Sequence, residues 1–116
     1  MNFLHASDSE VLSIANPIMD NLMDASTNID HAKHIQNFSA RMLAIVTKSY
    51  FEDVCKQYQQ EKGFFAQREL VAIFRRPNSV AIVWKQTFTK AQGEFVAEMV
   101  LIEEAGKMVV DHVMVF

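Results

Sequence analysis

Along the first 63 residues the apolar side chains recur at steps of three and four. Ser7 and Glu10 stand at capping-box spacing, and Val11, Ala15, Ile18 and Leu22, widened by Leu12, Met19 and Met23, follow with the period of a helix. Pro17 is predicted to kink this helix, or to begin it with Asn16 as cap. Asp30 offers a second N-cap ahead of Ile35, Phe38, Met42 and Ile45, all on one helical face. Thr47 caps a third piece carrying Tyr50, Phe51, Val54, Cys55 and Tyr58, which turns polar from Gln59 to Lys62 and stops at Gly63. From Phe64 onward the pattern changes to Val, Ile, Phe and Thr in four runs. These are broken at Pro77 and Asn78, at Gln92 and Gly93, and at Ala105 and Gly106. The pattern predicts one α+β domain over 1–116. Helices at about 8–62 precede a four-stranded antiparallel meander at about 64–116.

Centring the hairpins on those breaks sets a register. It places Ile73 opposite Ile82, Trp84 opposite Met99, Lys85 opposite Glu98, Phe88 opposite Phe95, and Met99 opposite His112. One face then carries Glu69, Val71, Ile73, Ile82, Trp84, Gln86, Met99, His112 and Met114, and is expected under the helices. The other carries Arg68, Leu70, Val83, Lys85, Glu98, Val100, Asp111 and Val113. It is also apolar, and no element remains to cover it. An exposed patch of this extent favours association, and a sheet-to-sheet homodimer would bury it. Val83, Lys85, Glu98, Val100, Asp111 and Val113 are the interface candidates, with Lys85 and Glu98 pairing across strands or across the two-fold to set orientation.

Composition narrows the functional classes. Half of the 116 residues are hydrophobic, 22% are charged and the net charge is -3, with no basic block to neutralise a phosphate backbone. Nucleic acid is therefore not an expected partner. A single cysteine, Cys55, excludes an intramolecular disulfide and any multi-cysteine metal site, in keeping with a reducing compartment and a cytoplasmic location. Met1 to Glu10 has neither a cationic stretch nor a long apolar run, and no segment approaches the ~18 unbroken apolar residues of a membrane span. No cofactor is implied.

The acidic Glu103 and Glu104, then Gly106, Lys107, Met108, Val109 and Val110, resemble the closing Gly-Lys-hydrophobic-x-hydrophobic hairpin of the nuclear transport factor two-like superfamily, the cystatin-like α+β cone. The opening is similar too, with Ala25 to Asp30 leading into the helix of Phe38 and Met42, and a further Phe51. The resemblance spans nearly the whole chain and rests on pattern, and it is closest to the small bacterial members without known activity. It implies a sheet folded around a pocket between helices and sheet, and dimerisation through the outer sheet face. The superfamily also holds isomerases, dehydratases and cyclases, so fold alone does not supply a function. The early extra strand of larger members has no counterpart before Phe64.

The ligand-pocket candidates are Glu69, Trp84, Gln86, Met99, His112 and Met114 on the sheet and Tyr58 from the helices. A carboxylate in an apolar cup has its pKa raised, and a nearby histidine titrates close to neutral pH. If the resemblance extends to proton transfer, Glu69 would accept the proton and Tyr50, Tyr58 or His112 would donate. Glu69 and His112, three strand spacings apart, would be separated by roughly 14 Å in a flat sheet. Asp111 and His112 are adjacent in sequence, so a regular strand sends them to opposite faces, and only a β-bulge would change that. His31 and His34 share a helix face but lack a third ligand at motif spacing, so no metal site is expected and a solvated first turn accounts for them. Arg75 and Arg76 read as a solvated hairpin tip, and Cys55 as helix packing. The expectation is a homodimeric domain binding a small hydrophobic or amphipathic ligand between helices and sheet. The alternatives are an isomerase, dehydratase or cyclase using a pocket carboxylate or histidine, and a pure interaction module whose cavity is filled by its own side chains.

Overall fold

The computed structural model describes residues 1–116. A short 3-10 turn, Phe3–His5, precedes α1 (Asp8–Thr27), α2 (His31–His34), α3 (Ala40–Ile45) and α4 (Lys48–Lys62), and then β1 (Phe65–Arg75), β2 (Ser79–Phe88), β3 (Phe95–Glu104) and β4 (Lys107–Val115). The strands form one antiparallel sheet in the order β1-β2-β3-β4. Helices before an open antiparallel sheet make this an α+β fold, as the pattern predicts, of the cone type that the resemblance implies.

Local sequence explains most element ends. Ser7 Oγ accepts from the Glu10 amide while the Glu10 carboxylate accepts from the Ser7 amide, completing the capping box and holding the Glu10 carboxyl below its usual pKa. The side chains of Asp30, Ser39 and Thr47 cap α2, α3 and α4. Gly63 ends α4 at φ 83°. A Cβ there would lie 2.9 Å from the Lys90 Cβ, so this position requires glycine on both counts.

The structure removes one of the two readings of Pro17 and corrects that of the run from Asp30 to Ile45. α1 runs through Pro17 as one element, with its buried stripe of Val11, Ala15, Met19 and Leu22 lying on both sides of the proline. Neither Pro17 nor Asn16 begins a helix, because burial along that stripe offsets the one hydrogen bond that proline removes. The apolar run from Asp30 to Ile45 is not one helix. It breaks at Ile35 because Phe38 bridges β4: the Val110 amide donates to Asn37 O (2.6 Å) and the Ser39 amide to Val110 O (2.9 Å).

The sheet keeps the expected turns but not the whole register. Ile73 faces Ile82 as predicted. The β2–β3 hairpin is centred one residue earlier than in the predicted register, which moves every partner by two, so Trp84 faces Ala97 and Lys85 faces Val96. A slip of two preserves faces. Lys85 and Glu98 are consequently not partners: Lys85 Nζ reaches Glu94 at 2.9 Å and Glu69 at 3.5 Å, and Glu98 pairs with His112 at 2.9 Å.

Bulges do change faces. The pairing shifts between Leu70 and Ala72, leaving Val71 without a partner, so that Leu70 faces Trp84 and Glu69 faces Lys85. Glu69 therefore lies on the outer face, and Arg68 takes the helix face. Arg68 lies over the Trp84 ring (5.3 Å to its centroid) and donates to Asp20 Oδ1 (2.7 Å). On β4 the partners jump from Val110–Leu101 to His112–Val100, leaving Asp111 in a bulge. Beyond it, Val113 and Val115 turn toward the helices and pack against the core, and His112 and Met114 take the outer side of the strand.

The core lies between α1 and the helix face of the sheet. Val80, Ile82, Trp84, Ala97, Met99, Leu101 and Val110 are buried there against Val11, Ala15, Met19 and Leu22. No helix is long and apolar enough to cross a membrane.

Candidate functional site

Packing between the helical layer and the sheet is incomplete at the β4 side. An apolar cavity of about 440 Å³ lies there, walled by α1, α3, α4 and residues His112 to Val115 of β4. Seventeen of its 22 lining residues are hydrophobic, within the range typical of small-molecule sites in both size and character. α4 supplies a continuous stripe: Phe51, Val54, Cys55, Tyr58 and Lys62 stand at positions i, i+3, i+4, i+7 and i+11, which places them on one helical face. The opposite wall comes from Met19, Leu22 and Met23 of α1, and Met42 and Ile45 of α3 close one end.

A short polar chain crosses this apolar wall. Ser26 Oγ lies 2.7 Å from Tyr58 Oη and 3.4 Å from Cys55 Sγ, and Gln59 Nε2 donates to the Ser26 and Thr27 carbonyls. Burial raises the pKa of Cys55 and of Tyr58, so both stay protonated near neutral pH and act as donors rather than anions. His34 also lines the cavity. Its ring lies between Phe38 and Phe51, with centroids 5.2 and 4.4 Å away, and its buried Nδ1 has no partner. Burial, and then the neighbouring His31, lower its pKa to about 4, so it is neutral near pH 7. His31 is turned away, with Nε2 2.9 Å from Val46 O. The first turn of α2 is thus packed, not solvated.

Of the seven pocket candidates, Tyr58 lines the wall, and His112 and Met114 belong to the rim formed by β4. The His112 imidazole meets Glu98 across the strands. Trp84, Gln86 and Met99 are on the helix face, as their register demands, but lie buried in the core and do not line the cavity. Glu69 lies outside it, in a separate polar depression with Lys85 and Glu94. No aspartate or glutamate lines the cavity, so the proton acceptor assigned to Glu69 has no carboxylate to fill it there. Ser26 and His34 are lining residues that pattern reading passes over. Ser26 is at an α1 position that helical period marks only as inward, and His34 becomes enclosed only when Phe38 and Phe51 converge on it from separate elements.

The interface candidates also divide. Val83, Lys85, Glu98 and Val100 lie on the outer face, whereas Val113 packs inward. Asp111 binds the helical layer: its Oδ1 accepts from Ser39 Oγ (2.9 Å) and Arg41 Nε (3.2 Å). The Glu94 hydrogen bond and the neighbouring Glu69 raise the pKa of Lys85. With Ala72, Phe74, Ala81, Val96, Ile102 and Val109, the outer positions form an apolar sheet surface that no helix covers.

No protein-family model matches the sequence, and no curated protein matches it significantly. Solved structures do. A Thiobacillus denitrificans protein described as a candidate calcium/calmodulin-dependent protein kinase type II association domain is similar at TM-score 0.59 and 11% identity, over 87% of this chain and 92% of that one. A SEC-C motif containing protein from Rhodopseudomonas palustris is similar at TM-score 0.57 and 12% identity, over 98% of both chains. A DUF4783 family protein from Bacteroides ovatus is similar at TM-score 0.50 and 9% identity, over 82% and 90%. The first and third have nuclear transport factor two-like folds. At these identities the likeness is one of fold.

Proposed function

We propose that this chain is a binding domain of the nuclear transport factor two-like superfamily. In this reading it acts as a homodimer in the cytoplasm and holds a small hydrophobic or amphipathic molecule in the cavity between α1, α4 and β4. The observation that carries the reading is the cavity itself. Its volume is about 440 Å³, its walls are apolar, and the large core side chains that could have filled it, Trp84 and Met99, are packed elsewhere. The cavity is open along one side, where the lining residues Ile45, Tyr50 and Val54 are exposed, so a ligand can enter it. The sparse polar groups, Ser26, Tyr58 and His34, suit orientation of a ligand better than proton abstraction. The two hydroxyls are neutral donors, and His34 is held far below the pKa of an effective base at neutral pH.

Dimerisation rests on the outer face. Ten-residue strands spaced ~4.8 Å apart make a layer of roughly 33 by 19 Å, about 600 Å² in projection, which is the order of the ~800 Å² per partner of a standard interface. Ala72, Ala81, Val83, Val96, Val100 and Val109 supply the apolar part of this surface, and a two-fold axis would bring the same surface against itself.

Binding is tested with Nile red, a neutral dye whose emission rises in apolar surroundings. Saturable enhancement is expected with the native protein, and it should be lost in Val54→Trp, which narrows the cavity from an exposed rim position. Equal enhancement in the variant, or none in the native protein, would remove the cavity as a ligand site.

A further inference from the structure

The charge around the cavity is one-sided. The protein carries net charge -3, yet the charged lining residues are Arg41 and Lys62 alone. Arg41 is already paired with Asp111. Lys62 Nζ has neither an ion pair nor a hydrogen bond, and lies over the rings of Phe88 and Phe95 at 5.9 and 5.4 Å. Tyr58 is one helical turn away on the same face of α4, so its hydroxyl and the Lys62 ammonium address the same end of the cavity.

Hydrogen-bond accounting adds to this. Ser26, Tyr58 and Cys55 together carry three X–H hydrogens, and the two contacts among them use two. One hydrogen, on a hydroxyl or on the Cys55 thiol, remains for a partner outside the chain of three. Three of the last four carbonyls of α4, whose partial negative charge would repel an anion, are already occupied. Gln59 O accepts from the Gly63 amide, Gln60 O from Lys90 Nζ (2.7 Å), and Lys62 O from the Lys90 and Ala91 amides. Lys90 adds a second positive charge at that end.

We infer that the ligand is an anionic amphiphile, an aliphatic carboxylic acid, with its carboxylate held by Lys62 and the Ser26–Tyr58 hydroxyls and its chain lying along the apolar wall toward Phe51 and Met42. This rests on the cavity being a ligand site. Its own content is the sign of the head group. A free ammonium and a surplus hydroxyl or thiol hydrogen beside an apolar wall match an acceptor-only, negatively charged group, and no carboxylate lines the cavity to balance a cation.

The experiment is displacement of Nile red by decanoate and by decanol, which share a chain and differ in charge. Decanoate is expected to displace the dye at a concentration about tenfold lower or less, the effect of one charge-assisted hydrogen bond. Lys62→Met should bring the ratio of the two concentrations to near one, and Lys56→Met, on the exposed face of α4, should leave it as in the native protein. Because the ratio is taken within each variant, a general change in the cavity cancels. Equal displacement by the two compounds in the native protein, or a ratio that survives Lys62→Met, overturns the assignment. Dye binding with no preference for decanoate leaves the cavity as a ligand site and removes only the anion, whereas absence of dye binding removes both.

Discussion

His34 shows how a single side chain couples packing to pH. Its ring is held by Phe38 and Phe51, its Nδ1 is buried without a partner, and its pKa falls to about 4 through burial and then through His31. In the unfolded chain the same group titrates near 6.5, so the unfolded state binds the proton first as pH falls. The neutral ring therefore contributes stability that is complete above pH 6.5 and is lost as pH drops through about 4. At ~1.4 kcal/mol per unit the linkage amounts to about 3 kcal/mol. Urea unfolding is expected to show this acid loss in the native protein and a shallower one in His34→Phe. Parallel pH profiles for the two would mean that the ring is not enclosed as described. None of this could be read from the i, i+3 spacing of His31 and His34, which marks a shared helix face and leaves open what covers it.

At the scale of elements, helix ends were legible and strand faces only in part. Ser7, Asp30, Thr47 and Gly63 act within one turn of chain, so their residue types suffice to place them. Alternation along a strand carries the same information only while the strand stays regular. One unpaired residue, Val71 in β1 or Asp111 in β4, inverts every position beyond it. Strict alternation therefore puts Glu69, His112, Met114 and Val113 on the wrong side, whereas it places Trp84, Gln86 and Met99, on the unbulged β2 and β3, on the right one. The Asp111 bulge has a visible use: it turns the carboxylate onto Ser39 and Arg41, tying α3 to the sheet beside the cavity. Asp111→Ala should cost about 1 to 3 kcal/mol, since it leaves the buried Ser39 hydroxyl with one partner fewer. Hydrogen exchange should quicken at the α3 amides and stay unchanged in β2. Uniform quickening, or none, would show that α3 is anchored by other contacts.

At the scale of the molecule, the helices cover one face of the sheet and leave the other bare. The proposed dimer follows from that asymmetry and is open to direct measurement. Light scattering on the native protein should give twice the 13.3 kDa chain mass, and Val83→Arg combined with Val100→Arg should give the chain mass, because each arginine places an unpaired charge in the centre of the apolar layer. A native monomer, or an unaltered dimer in the double variant, would discard the interface. The sequence by itself determined the class of fold, the order of its elements and the surplus of apolar strand surface over helices to cover it, since these depend on local caps, turns and periodicity. Only the tertiary structure decided which side chains meet in the cavity. Ser26, His34, Tyr58 and Lys62 come together through the packing of α1, α2 and α4, which depends on contacts between residues far apart in the chain that no local pattern records.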